Sequence, residues 1–214
     1  NSNVYTTSSG ANGTVTTPQK YDYGTDVTIT ATPNEGYHVS KWVVDGTETA
    51  SKDNTYTIEN IDAINTVSVE FAINTFAVEA HVDPSSIEGA SVFGAVTDAN
   101  YGTDVTLTAI VPDGYHVAKW VDNSIEYGNQ NKTFEIKNIT ANHEVKVYIE
   151  INTYKITTSC GDHGSITTTL TCDFGTSATI TATPEEGYRV AKCFQPHISI
   201  IQAAGILTLP SGRS

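Results

Sequence analysis

Basic residues are scarce: eleven Lys and Arg stand against 24 Asp and Glu, a formal charge of −13. That imbalance repels phosphate backbones and anionic headgroups, so nucleic acid and membrane surfaces are disfavoured partners. Long apolar runs are missing too. The longest, Ile198 to Leu209, is too short to cross a bilayer, so no membrane insertion is expected within the segment. No basic stretch followed by an apolar one opens the chain. Methionine is absent and charged residues make up only 16%. Thr, Ser and Asn carry the polar surface instead, a composition common among secreted β-proteins. Because Asn1 stands almost directly before the first predicted strand, the chain is expected to be an internal piece of a longer polypeptide, with signals and anchors outside it.

What is present is repetition. The phrase YGTDVTITATPNEGYHVSKW at Tyr23 to Trp42 returns as YGTDVTLTAIVPDGYHVAKW at Tyr101 to Trp120 and as FGTSATITATPEEGYRVAKC at Phe174 to Cys193. Its opening glycine stands at Gly24, Gly102 and Gly175, spacings of 78 and 73 residues. Its closing glycine follows twelve residues later, at Gly36, Gly114 and Gly187. A period of that length means one small domain per repeat, with boundaries at 1–74, 75–152 and 153–214. Each unit sits near the lower limit for an adequate core, burying roughly 60–65% of the unfolded chain's surface, and is expected to be modestly stable alone. Single catalytic constellations do not usually repeat, so an enzyme is not expected.

Within each repeat the apolar period is two, the signature of strands with one packed and one wet face. Val27, Ile29 and Ala31 alternate with threonines, as do Val105, Leu107 and Ala109, and Ala178, Ile180 and Ala182. Turn signals at Pro33 to Gly36, Asp45-Gly46, Pro112 to Gly114 and Ser124 to Asn131 separate the strands, and no useful window carries a helical period. The expected class is all-β, with about six short strands per unit. Val39 and Trp42 are core candidates of opposite parity, which predicts a bulge near Ser40 and Lys41. At the junctions Asn74-Thr75 and Asn152-Thr153 no flexible linker intervenes. The buried face passes there from odd positions (Phe71, Ile73; Ile149, Ile151) to even ones (Phe76, Val78; Tyr154, Ile156). Units joined so stiffly are expected to form an elongated rod, each about 25 Å long at roughly 3.3 Å per residue.

Candidate chemistry is thin. His38 and His116 share a position, but the third repeat has Arg189, and the neighbours Ser40 or Ala118 and Lys41 or Lys119 bring no carboxylate for a general base. Exposed strand histidines are the expectation. Asp26 and Asp104 give way to Ser177 and no D-x-D-x-D run exists, which argues against a calcium ligand kept in every unit. Cys160, Cys172, Cys193 and His163 form a loose C-x-x-H set without compact ligand spacing. Two of these thiols could pair and leave one odd; sporadic cysteines in a decaying repeat are the favoured reading. Neither metal nor cofactor is expected. Tyr37, Trp42, Tyr115 and Trp120 would make a sugar-stacking platform if exposed and core if buried, and a small unit's need for bulk favours core. Asn12, Asn131 and Asn138 begin N-x-T sequons, which an Asn- and Thr-rich chain produces by chance.

The frame YGT-x-VT-x-TATP-x-x-GY-x-V-x-x-W, with YTIENI…NTVSVEF and FEIKNITANHEVKVYIEINTYKITTS, resembles the divergent InlB B-repeat family. These repeats, related to the Listeria–Bacteroides repeats, occur in tandem in large secreted or cell-surface proteins of bacteria and archaea. The resemblance implies β-grasp-like or small sandwich-like modules without catalytic residues. It implies a structural signature at Gly24, Gly36, Tyr37, Trp42, Gly102, Gly114, Tyr115, Trp120, Gly175, Gly187 and Tyr188. It further implies an extracellular or cell-surface spacer that presents other domains of a longer polypeptide. The alternatives are an adhesive or carbohydrate-binding module that meets a host or environmental glycan or protein, and an accessory portion of a secreted hydrolase. The third repeat departs from the frame: Cys193 replaces the tryptophan, and the tail from about 194, FQPHISIIQAAGILTLPSGRS with its preceding residues, has no acid in the 28 positions after Glu186. Two readings stay open, a frameshifted or foreign tail, or a degenerate cap whose short strands, such as Ile198 to Ile201 and Gly205 to Leu209, replace missing ones.

Overall fold

A computed structural model describes residues 2–17, 19–62, 65–192, 201–203 and 206–209. Every regular element among them is a strand, and no helix is long and apolar enough to cross a membrane. By proximity the chain divides into two compact units. One comprises Asn1–Glu79, Gly94–Leu107 and Glu135–Glu144; the other comprises Ala80–Phe93, Thr108–Phe134 and Val145–Ser214.

The first repeat holds eight strands: β1 Ser2–Ser9, β2 Gly13–Val15, β3 Lys20–Asp22, β4 Val27–Pro33, β5 Tyr37–Val44, β6 Thr47–Glu48, β7 Thr55–Ile58 and β8 Asn65–Ile73. About six were expected; β2, β3 and β6 are two or three residues long, too short to display an alternation. A five-stranded sheet, β3-β1-β8-β5-β6, accompanies a three-stranded one, β2-β4-β7. First and last strands run parallel, from Tyr5↔Asn65 to Ser9↔Val69. A parallel pair cannot be closed by a tight turn, so the rest of the repeat serves as its crossover. The two sheets share one core, in which Val27, Ile29 and Ala31 of β4 meet Val39 and Trp42 of β5 and Val67 and Val69 of β8, with Ile61 beside them. Full burial of such a side chain contributes roughly 1.5–3 kcal/mol, the main favourable term in so small a unit.

Trp42 reaches this core through the expected bulge. The β5–β8 register runs to Val39↔Phe71 and resumes at Lys41↔Glu70, leaving Ser40 unpaired. The extra residue reverses the side-chain parity, so that Val39 and Trp42 both point inward. The second repeat does the same between Val117 and Lys119. Its strands are β9 Thr75–Asp83, β10 Ser91–Phe93, β11 Val96–Asn100, β12 Val105–Ile110, β13 Tyr115–Asp122, β14 Ile125–Tyr127, β15 Thr133–Ile136 and β16 His143–Ile151. They lie in the same two orders, β11-β9-β16-β13-β14 and β10-β12-β15. Leu107, Ala109, Val117, Trp120, Phe134, Ile136, Ile139, Val145, Val147 and Ile149 are buried.

The third repeat keeps β17 Thr153–Ile156, β18 Gly164–Ile166, β19 Leu170–Asp173 and β20 Ala178–Pro184, and adds β21 Ile201–Ala203 and β22 Ile206–Leu209 from the atypical tail. The register of β20 with β22, Ala178↔Leu209 to Thr181↔Ile206, has the same offset from the opening glycine as that of β4 with β7, Val27↔Ile58 to Thr30↔Thr55. A tail strand thus stands where β7 stands in the first repeat. Cys193 and most of the strand expected at 198–201 lie outside the described residues. Tyr154, expected on a buried face, is 53% exposed. The reason is its sheet: among the described residues β17 pairs with β19 alone, whereas β1 is flanked by both β3 and β8.

Candidate functional site at the repeat junctions

Trp42 and Trp120 have no exposed surface. The Trp42 indole N–H donates to the Asp53 carbonyl at 2.9 Å, and that of Trp120 to the Asn131 carbonyl at 3.0 Å. Tyr56 lies against the first ring at a centroid distance of 5.8 Å, and Phe134 stacks on the second at 5.3 Å. Neither tryptophan offers a face to a sugar. Each instead ties a loop, 47–54 or 124–132, to the core, satisfying a polar group that burial would otherwise strand. Tyr37 and Tyr115 are half-buried; Tyr188 is 54% exposed and stacks on the His163 ring at 4.2 Å.

The opening glycines belong to a second repeated device. Gly24 N–H donates to the Ile61 carbonyl at 3.0 Å and Gly102 N–H to that of Ile139 at 2.8 Å. Beside them an Asp26 oxygen accepts the Asn60 N–H at 2.9 Å, and an Asp104 oxygen accepts the Asn138 N–H at 2.8 Å. Asn60 and Asn138 both have φ +51, a left-handed geometry that asparagine tolerates better than most residues. The aspartates therefore hold a turn. Gly175 opens the third phrase in the same conformation, φ +78, with Ser177 in the aspartate's place.

The closing glycines make the junctions. Gly36 has φ +78 and Gly114 φ +81, and a Cβ on either would collide with a ring, that of Tyr101 over Gly36 and that of Phe174 over Gly114. Glycine is needed there twice over, for its backbone and for its bareness. Between turn and ring stands the junction asparagine. Asn74 N–H donates to the Gly36 carbonyl at 2.8 Å, and Tyr101 N–H to the Asn74 carbonyl at 2.8 Å. Asn152 N–H donates to the Gly114 carbonyl at 2.7 Å, and Phe174 N–H to the Asn152 carbonyl at 2.8 Å. The side chains join in: His38 Nδ1 lies 2.8 Å from Asn74 Oδ1, and His116 Nδ1 lies 2.8 Å from Asn152 Oδ1. Because Oδ1 only accepts, Nδ1 carries the proton in both. At the first junction the Tyr101 hydroxyl also donates to Glu35 at 2.5 Å, and that carboxylate pushes the phenol's pKa up. The first junction lies wholly within one compact unit and the second wholly within the other.

The histidines are thus more than exposed strand residues: His116 is half-buried and both have partners. Sequence reasoning noted the asparagines without giving them a task and passed over Tyr101 and Phe174. Two signals were available. Each phrase opens on an aromatic residue directly before its glycine, and histidine gives way to Arg189 in the repeat whose following junction has no counterpart in the pattern.

The remaining candidates stay apart. Among the described residues no three His, Cys, Asp or Glu side chains gather as a cation site. Cys160 and Cys172 are free thiols. The sequon residues Asn12, Asn131 and Asn138 are exposed. Lys41 reaches Glu48 and Lys119 reaches Glu126, each at 2.6 Å, pairs exposed enough to contribute little.

A search of curated proteins finds no match to the chain. The family model for the divergent InlB B-repeat domain matches three times, over residues 3–75, 81–147 and 154–192. These spans cover most of the chain, follow the eight-strand pattern twice, and stop before the atypical tail. The chain is a tandem-repeat segment that belongs to the divergent InlB B-repeat family.

Proposed function

We propose that this segment is a non-enzymatic spacer of a bacterial surface protein, a stalk outside the cell that holds other domains of a longer polypeptide away from the envelope. The observation that carries this reading is the duplicated junction. Two backbone hydrogen bonds, a His–Asn bond and a ring seated on bare glycine recur at both, with the asparagine alone between the flanking strands. Each bond is worth only about 0.5–1.5 kcal/mol net, but several acting on one asparagine restrict bending, and resistance to bending is what a spacer supplies. The buried tryptophans favour this reading over a sugar platform.

Function by length and stiffness differs from function by contact. Replacing residues 75–152 with an unrelated β-domain of equal length and rigidity is expected to preserve the activity of the intact surface protein, while deleting them impairs it. Loss of glycan or protein binding on exchanging only loops 47–54 and 124–132, strands intact, would establish an adhesive module instead. Solution scattering gives a quicker check: an extended particle is expected, and a radius of gyration near the value for one compact domain of this length, about 17 Å, would sink the spacer.

A further inference from the structure

Tyr23 occupies the position that Tyr101 and Phe174 occupy at the two junctions: each directly precedes an opening glycine. The strand registers extend the equivalence. Ser2↔Asp22, Thr75↔Asn100 and Thr153↔Asp173 are matching pairs, and in the sequence each is directly preceded by an asparagine, Asn1, Asn74 and Asn152. Yet the rings differ in cover. Tyr101 is half-buried and Phe174 38% exposed, each over its glycine, whereas Tyr23 is 65% exposed. At the other end, the closing glycine Gly187 has the same backbone, φ +82, with none of the described residues within 4 Å of where a Cβ would stand.

We infer that the Tyr23 ring and the Asp22–Thr25 turn form a docking surface for the acidic-Gly-Tyr turn of another repeat of this family joined ahead of Asn1. The occupant's chemistry follows from the junctions already present. It must bring a glycine at positive φ with no Cβ to foul the ring, a carbonyl on that glycine for the asparagine N–H, and a histidine two residues on for the asparagine side chain. A glutamate before the glycine completes the set, because Tyr23 carries a hydroxyl as Tyr101 does, and Tyr101 donates its own to Glu35. The turn Glu35-Gly36-Tyr37-His38 meets every requirement, whereas Glu186-Gly187-Tyr188-Arg189 lacks the histidine. The surface is defined by the two junctions and holds whether the array serves as spacer or adhesin.

The test extends the full chain with a second copy of its residues 1–73 placed directly before Asn1, which recreates the native Ile-Asn seam. The added copy carries Tyr23→Phe, so that its peptide differs in mass. Tetranitromethane nitration read by mass spectrometry then reports Tyr23 of the downstream copy. Its rate is expected to fall severalfold from that in the unextended chain, to the level of Tyr101. Should the added copy fail to fold, seen as red-shifted emission from its Trp42, residues 75–151 take its place with the same seam. Unchanged Tyr23 nitration beside a folded added repeat would overturn the inference. So would protection that grows with concentration in the unextended chain, since the occupant would then be a second copy of this chain.

Discussion

The second and third repeats share the glycine-framed phrase and part company after it. In the second, the phrase leads through Trp120 into β13, β14, β15 and β16, and Val145, Val147 and Ile149 complete a buried core. In the third, Ala178 and Ile180 are the buried residues among those described, while Tyr154, Tyr188 and Val190 are exposed. The phrase alone therefore does not make a core. It supplies β4-type and β5-type sequence, and closure depends on the later strands that cover the same apolar face. β20 is paired by β18 and β22 as β4 is by β2 and β7, yet Ile180 remains 8% exposed where its counterparts Ile29 and Leu107 are fully covered.

The strongest way to break this contrast is to give the second repeat the third repeat's defect. Trp120→Ala removes a fully buried indole, its stacking on Phe134 and its hold on the Asn131 carbonyl. The expected cost is about 3–5 kcal/mol, enough to unfold so small a unit, and Trp42→Ala should match it in the first repeat. Chemical denaturation followed by the remaining tryptophan measures this. A loss under about 1 kcal/mol would mean that the indole fills space the unit can collapse.

Next in size is the contrast between covered and open closing glycines. Ala at Gly36 and at Gly187 incurs the same left-handed strain, since φ is +78 and +82. Only at Gly36 must it also displace a ring. Gly36→Ala should therefore exceed Gly187→Ala by about 1–3 kcal/mol, the usual range for overpacking. The excess should vanish in a Tyr101→Ala background; an excess that persists there would locate the cost in the turn itself.

These junctions also mark where sequence reasoning ran out. The all-β class, the bulge before Trp42 and the burial of both tryptophans were legible, because alternation and its local violation are properties of neighbouring residues. Two kinds of fact were not. The parallel pairing of β1 with β8 leaves no trace in alternation, which is identical for parallel and antiparallel strands. The partnership of Gly36 with Tyr101, or of His38 with Asn74, joins positions far apart in the sequence, and only the recurrence of all four in register links them. The extra strands β2, β3 and β6 were missed for a simpler reason, their length.

Hydrogen exchange sharpens the comparison with a smaller expected effect. Amides of β17 to β20 should exchange about tenfold or more faster than those of β12, β13 and β16, since local opening is easiest where few apolar contacts are lost. Equal protection across 153–192 and 75–152 would show that the tail closes the third core as fully as β15 and β16 close the second.

The smallest effect separates the first repeat from the second. The Asp45 carboxylate accepts the Thr66 N–H at 2.7 Å and the Asn65 side-chain amide at 2.8 Å. The backbone bond above all, then the amide, favours the charged form and holds the pKa below the ordinary 3.8. A carboxylate lowered on folding contributes stability that is fully present above its unfolded value and is lost as pH falls through the folded one. The first repeat should therefore weaken slightly as pH drops below about 4, through a group that the second repeat lacks, because Asn123 stands at the equivalent position. The effect is small, since Asp45 is exposed and water screens it. In Asp45→Asn the acid-dependent part assigned to this turn should disappear from the first repeat's unfolding while the second repeat's profile is unchanged. A variant whose acid profile matches the parent's would assign that sensitivity to other carboxylates.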